Sequence, residues 1–356
     1  MTLLPTLKGR NCESPDASPA PAFGQPTLSR RRFLGGAAAL AASAASSMLR
    51  AETPERKAQI AITLDLEMSR EYPRRGMTEW DYEKGNLDEP TKRYAVEAAE
   101  IVKQAGGRIH FFCVARVLEQ PDVEWLKKLS ADGHPIGNHT YDHVYVRAKT
   151  PEETQFRFRR APWLVAGKTA AEIIDENIRL ASQALKQRAG IDAAGFRTPG
   201  GFHDGLENSP DVQRMLLAQG FTWVSSKYPA HENELDGEAP SAGTMESILA
   251  AQRLAQPFVY PSGLVEVPMS PISDVGAFRN GHWKLKDFCR AVQMGIEWAI
   301  ETGSVFDFLA HPSCLVVEDP KFETIRLICR LARDAGVRAE LSDLGQIAKC
   351  VMKHKK

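Results

Sequence analysis

The chain has 356 residues, 43% apolar and 25% charged, with a formal net charge of zero. That length buries a sizeable core, and the composition is that of a globular protein, not a disordered or fibrous one. Residues 1–51 carry six basic residues (Lys8, Arg10, Arg30, Arg31, Arg32, Arg50) and two acidic ones (Glu13, Asp16), so their removal would leave −4, which argues against nucleic acid as a partner.

Residues 1–28 are rich in Pro and small residues without helical or strand period and read as a disordered leader. "SRRRFL" (Ser29 to Leu34) then leads into an uncharged, Ala-rich run from Phe33 to Leu49. That run falls short of the roughly 20 apolar residues a membrane span needs and fits a signal h-region behind a basic n-region. The pattern resembles a twin-arginine export signal, with cleavage near Ala45 or Ala51. It implies handling by the twin-arginine export machinery, no stable membrane span after cleavage, and a periplasmic or extracellular location in a bacterium. The competing reading is a basic segment before an Ala-rich helix, but the run has no amphipathic period. After the leader, Cys113, Cys289, Cys314, Cys329 and Cys350 are widely spaced and form no C-x-x-C pair, so they read as small buried hydrophobes; one disulfide among them stays open.

From Gln59 onward short β runs alternate with amphipathic helical stretches. Strands are expected at 60–66, 108–114, 134–139, 193–201, 221–226, 263–270, 305–311 and 337–341, and helices at 90–107, 121–133, 170–189, 209–219, 284–302 and 319–335, with a polar loop over 145–168. This alternation implies a mostly parallel sheet with helices outside. An open doubly wound sheet fits the count, but the polar residues favour an irregular (β/α) barrel of about seven parallel strands over 58–345. Asp65, Glu67, His139, Arg197 and His311 all fall at or just past expected strand ends, which in a barrel converge on one rim.

In "HTYDH" (139–143), His139 and His143 stand four apart, a spacing at which two imidazoles can grip one ion. The pair alone is a weak signal. "TLDLE" (63–67) adds Asp65 and Glu67, which could also merely cap the loop after the first strand. Two carboxylates with a histidine pair point to a hydrolase.

"GHPIGNHTYDH" (133–143) resembles the histidine motif of the polysaccharide deacetylases, the NodB-homology family of carbohydrate esterases. "TLDLE", "RTPGG" (197–201), "FTWVSS" (221–226) and "FLAHP" (308–312) resemble that family's other motifs in the right order, over about residues 58 to 340. The resemblance implies an irregular (β/α) barrel and a metal-dependent hydrolase of a non-peptide C–N bond, acting in N-deacetylation of a polysaccharide or oligosaccharide. It assigns Asp65 as general base, and Glu67, His139 and His143 as ligands of one divalent metal, Zn2+ first, with Co2+, Mn2+ or Ni2+ also fitting. Glu67 enters because Leu66 fills the usual ligand position; some relatives space the two carboxylates one residue further apart. Arg197 would orient Asp65 through a bidentate fork, the Gly200 N–H would stabilise the oxyanion, and His311 would be the general acid. Leu309, Trp223 and His203 would contact substrate, and Asp274 would replace the missing acidic residue near the tryptophan that tunes His311. Without the motifs, Arg197 would read as a surface ion pair and His311 as structural. Aromatic residues in loops 68–89 and 145–168 suit sugar stacking or loop packing equally. The alternatives are a hydrolase of non-sugar, including cyclic, amides on the same scaffold, or a catalytically silent exported glycan-binding protein.

Overall fold

The first strand sets the frame. β1 (Ala58–Leu66) is a β-branched and aliphatic run buried along nearly its whole length, as a central parallel strand must be. The computed structural model describes residues 56–78, 83–232 and 237–354; the expected leader and export signal lie outside them. In chain order come α1 (Glu89–Gln104), β2 (Ile109–Cys113), α2 (Glu124–Ala131), β3 (Ile136–Asn138), α3 (Phe156–Arg160), α4 (Ala170–Ala184), β4 (Phe196–Phe202) and α5 (Pro210–Ala218). Then follow β5 (Trp223–Lys227), α6 (Ala242–Gln252), β6 (Phe258–Val259), β7 (Val265–Glu266), α7 (Leu285–Thr302), β8 (Val305–Ala310), α8 (Pro312–Glu318), α9 (Glu323–Asp334), β9 (Ala339–Leu341) and α10 (Leu344–His354).

The strands form one sheet in the order β6-β7-β5-β4-β3-β2-β1-β8, with β9 beside β1. All pairings are parallel except β6 with β7. The sheet curls as expected for an irregular (β/α) barrel, but β7 and β8 do not form a ladder. The chain just after β7 bridges to β8 instead, where the Ser270 N–H donates to the Asp307 carbonyl at 3.1 Å.

Local signals explain the helices that the sequence located. Asp88 caps α1 by accepting from Thr91 N, and Thr169 and Glu172 form a reciprocal capping box on α4. Four helices escaped the reading: α3 inside the expected polar loop, α6, whose apolar residues do not gather on one face, α8, and α10 beyond the last expected strand. The two-residue strand β6 is too short to show a period. The polar stretch 145–168 holds α3 and short 3-10 turns. Cys113, Cys289, Cys314, Cys329 and Cys350 all carry free thiols. Among the described residues no helix is long and apolar enough to cross a membrane.

At the lower end of the sheet, Leu344, Ile347 and Ala348 of α10 pack with Ala61, Phe112, Trp223, Val265, Val267 and Val305. Gly195 makes that packing feasible: its φ is +97°, and a Cβ there would lie 1.9 Å from the Trp223 ring. Gly195→Ala combines overpacking with a strained backbone, so we expect a loss of about 2–4 kcal/mol in chemical denaturation.

Candidate metal centre and catalytic cavity

The upper end of the sheet carries the polar cluster. Asp65 is the penultimate residue of β1, and Glu67 follows the strand. The Glu67 backbone is fixed on both sides: its N–H donates to the Asp65 carbonyl at 3.0 Å, and its carbonyl accepts from Ser313 Oγ at 2.9 Å. His139 follows β3, whose Asn138 pairs with Phe196 and so sets Arg197 level with it. Arg197 therefore lies near the start of β4, not at its end as expected.

Residues 138–144 are held from α4. Asn138 Nδ2 donates to the Ile178 carbonyl, Asn138 Oδ1 accepts from Thr140 N, and the N–H groups of Tyr141 and Asp142 donate to the carbonyl and side chain of Asn177. Thr140 and His143 are left-handed, with φ of +60° and +59°. Non-glycine residues rarely adopt that conformation, and it is found at sites where the surroundings impose it. Asp142 turns away to pair with Arg116 and Arg157.

Glu67, His139 and His143 offer three ligand atoms within 4.8 Å of one another. Their chemistry fits a cation. His139 Nδ1 meets the Arg197 carbonyl at 3.0 Å, and because a carbonyl only accepts, Nδ1 carries the proton. Burial pushes the His139 pKa down to about 4, so the ring is neutral near pH 7. Its Nε2 lone pair then faces two carboxylate oxygens, Asp65 Oδ2 and Glu67 Oε2, each at 3.7 Å. Glu67 Oε2 is buried and sits 2.6 Å from His143 Nε2. Three acceptors converging in a buried space, already flanked by Arg197 and Lys84, are suited to a cation among them. The two-histidine, one-carboxylate set suits zinc and its first-row neighbours. Burial works to raise the Glu67 carboxyl, but His143 and Lys84 outweigh it and hold it well below the usual carboxylate range.

Arg197 organises the ground beneath. Its guanidinium is wholly buried over the Phe112 ring, 4.3 Å from the centroid. Nη1 donates to Asp65 Oδ1 at 3.0 Å and Thr63 Oγ1 at 2.8 Å, and Nη2 donates to Asp307 Oδ2 at 2.7 Å. The expected bidentate fork on Asp65 is thus divided between two carboxylates, leaving Asp65 Oδ2 outside the guanidinium's grip. Burial lifts the Asp307 carboxyl to about 6, with Arg197 pulling the other way.

His311 follows β8 at the edge of the cluster. Its Nδ1 lies 3.0 and 3.1 Å from the two oxygens of Asp274, its backbone N–H donates to the same carboxylate, and its Nε2 lies 3.5 Å from Glu67 Oε1. Burial would drive the His311 pKa down, but Asp274 pulls harder and holds it above its ordinary value. These groups line a cavity of about 300 Å³ whose walls include Gly200, Tyr228, Met269 and Leu309.

The structure brings Asp65, Glu67, His139, His143, Arg197, Gly200, Asp274, Leu309 and His311 into or directly beneath this cavity. Trp223 does not join them, a correction with a simple cause. It begins β5, and in a parallel sheet the beginning of a strand lies at the end away from the site; its ring packs on His110 and Phe112. His203 is likewise outside the cavity, exposed, with Nδ1 accepting from Ala230 N at 3.3 Å. Two polar residues escaped the sequence reading. Lys84 reaches Glu67 Oε1 at 3.1 Å from a loop without a motif. Asp307 sits in the otherwise apolar "VFDFLA" of β8, and a lone acid in a buried strand was the available signal.

Residues 82–208 match the family described as polysaccharide deacetylase. The fold is similar to that of a putative polysaccharide deacetylase from Mycobacterium smegmatis, at 17% identity over 85% of this chain and 93% of that one, with a TM-score of 0.52. It is also similar to a probable polysaccharide deacetylase from Pseudomonas aeruginosa PAO1, at 14% identity over 82% and 89% of the two chains and a TM-score of 0.52. The structure titled Puue Allantoinase is similar at 13% identity over 83% and 91%, with a TM-score of 0.55. No curated protein sequence matches the chain.

Removing the Arg197 charge isolates two buried carboxylates, so Arg197→Met should cost about 3–5 kcal/mol of stability. Below pH 6 the folded variant can neutralise Asp307 by taking up a proton that the unfolded chain does not bind until about pH 4. Urea denaturation should therefore show a smaller deficit at pH 5 than at pH 8. The match over residues 82–208 and the curled parallel sheet make this chain similar in that segment and in fold to the polysaccharide deacetylases.

Proposed function

We propose that this protein is a metal-dependent amide hydrolase that removes an acyl group from an N-acetylated sugar, and that Glu67, His139 and His143 hold the ion. The observation that carries this reading is the convergence of the His139 lone pair, Glu67 Oε2 and His143 Nε2 on one point. Zinc best suits this nitrogen and oxygen set. The chemistry such an ion supplies there is Lewis acidity toward the acyl oxygen and acidification of the attacking water.

The chain's own residues supply the rest. Asp65 takes the water proton through Oδ2, because Oδ1 is engaged by Arg197. The Gly200 N–H adds a donor for the developing oxyanion from the cavity wall. His311, its ring oriented by Asp274, gives its proton from Nε2 to the departing amine. Leu309 and Met269 offer apolar wall to the acyl methyl. Nitrogen leaves protonated and the acyl carbon gains the water oxygen, so the step balances as amide plus water to acid plus amine. Export by the twin-arginine route is part of the same proposal and rests on residues 29–49 alone.

A second reading, hydrolysis of a cyclic amide, is favoured by the likeness in fold to a structure titled as an allantoinase. Acetate release from N-acetylglucosamine oligomers and peptidoglycan, set beside ring opening of cyclic ureides, separates the two. A silent glycan binder would need no stoichiometric ion. We expect about one zinc per chain, its loss in Glu67→Ala, and its retention in Asp65→Asn. That last variant should lose roughly 10²- to 10⁴-fold in turnover, the usual contribution of a general base. Full metal content in Glu67→Ala would remove the ligand assignment, and an active Asp65→Asn would remove the base.

A further inference from the structure

The cavity continues beyond the polar cluster. It shares Lys84, His143, Gly200 and Arg279 with a neighbouring cavity of about 400 Å³ beside residues 152–159, so the two form one groove. Outside the cluster its cations are Lys84, Arg70, Arg159 and Arg279, against two acids, Glu152 and Glu153. Glu153 is engaged within its own loop, accepting from the N–H groups of Lys149 and Thr150 at 2.8 and 3.3 Å. Lys84 faces Glu67, and both Arg70 and Arg159 lie over the Phe156 ring.

Arg279 differs from its neighbours. It lies on the turn Val275–Asn280, directly after the Asp274 that holds His311, and it lines both halves of the groove. The turn is anchored by Arg75, whose Nη2 donates to the Phe278 carbonyl at 3.3 Å. Arg279 is half-buried, yet among the described residues its side chain has no ion pair or hydrogen bond. Its charge is felt at the Tyr228 hydroxyl on the cavity wall, where it opposes the rise that burial causes. A half-buried guanidinium facing a cavity, in a chain that leans acidic beyond its first 51 residues, is a ready partner for an anionic oxygen pair.

We propose that the substrate carries a carboxylate close to the scissile amide and that Arg279 selects for it with a bidentate grip, so that the preferred substrate class is an acidic N-acyl sugar and not a neutral one. This inference rests on the amide-hydrolase reading of the same site. N-acetylmuramic acid and N-acetylglucosamine, as free sugars or in matched oligomers, differ by one lactyl carboxylate and serve as the probes.

The zinc-loaded protein should show the higher kcat/KM on the carboxylate-bearing sugar. Arg279→Gln should lower that value by on the order of 10- to 100-fold, chiefly through KM, and lower the neutral sugar's far less. Arg279→Lys should recover part of the preference, since it restores the charge without the fork. Equal kcat/KM for the two sugars in the parent protein, or an equal loss for both in Arg279→Gln, overturns the proposal. Should neither sugar be hydrolysed, the deacetylase reading fails by itself, and calorimetric binding of the same two sugars decides this one. Tighter binding of the acidic sugar that disappears in Arg279→Gln supports it, and indistinguishable binding overturns it.

Discussion

A guanidinium with no exposure to solvent is the constraint on which the polar end of the sheet rests. Arg197 extends from β4 and ties together Asp65 and Thr63 on β1, Asp307 on β8 and Ser225 on β5. Three strands other than its own thereby share one cation. Such an arrangement is costly to desolvate and rewarding only when every donor is used, so it fixes the relative positions of those strands more tightly than apolar packing would. The same residue also sets the chemistry above it. Its side chain engages one oxygen of Asp65, and its backbone carbonyl fixes which nitrogen of His139 is free.

The pieces around the Glu67, His139 and His143 cluster are held with comparable care. Ser313 secures the carbonyl of Glu67 from α8, Asn177 secures the histidine loop from α4, and Asp274 holds both the ring and the backbone of His311. Each support comes from an element distant in sequence from the group it steadies. A cluster with this backing is preorganised: its donor atoms already point inward.

Much of this was legible in the chain itself, because parallel sheets place functional groups by rule. Once alternation indicated β then α, polar residues after "ITLDL", "PIGN" and "FDFLA" had to meet at one end, and they do. The same rule, applied strictly, would have excluded Trp223: it starts β5, and the residue following that strand, Tyr228, is the one on the cavity wall. What stayed hidden was of another kind. Lys84 arrives from a loop whose path no period encodes, and the pairing of Arg197 with Asp307 depends on which strands lie side by side. Asp274 could be named only by analogy, since a stretch of irregular backbone carries it to His311.

One consequence of the strand order concerns biosynthesis. β1, near the start of the described chain, takes as neighbours β8 and β9, which are among the last strands to be made. α10, the last helix among the described residues, packs in one apolar cluster with Phe112, on whose ring the Arg197 guanidinium lies. Until residues 305–354 are made, the chain has neither the partner strand that supplies Asp307 nor the helix that packs with Phe112. The polar cluster therefore assembles only once these distant parts of the chain have met, in one highly non-local step.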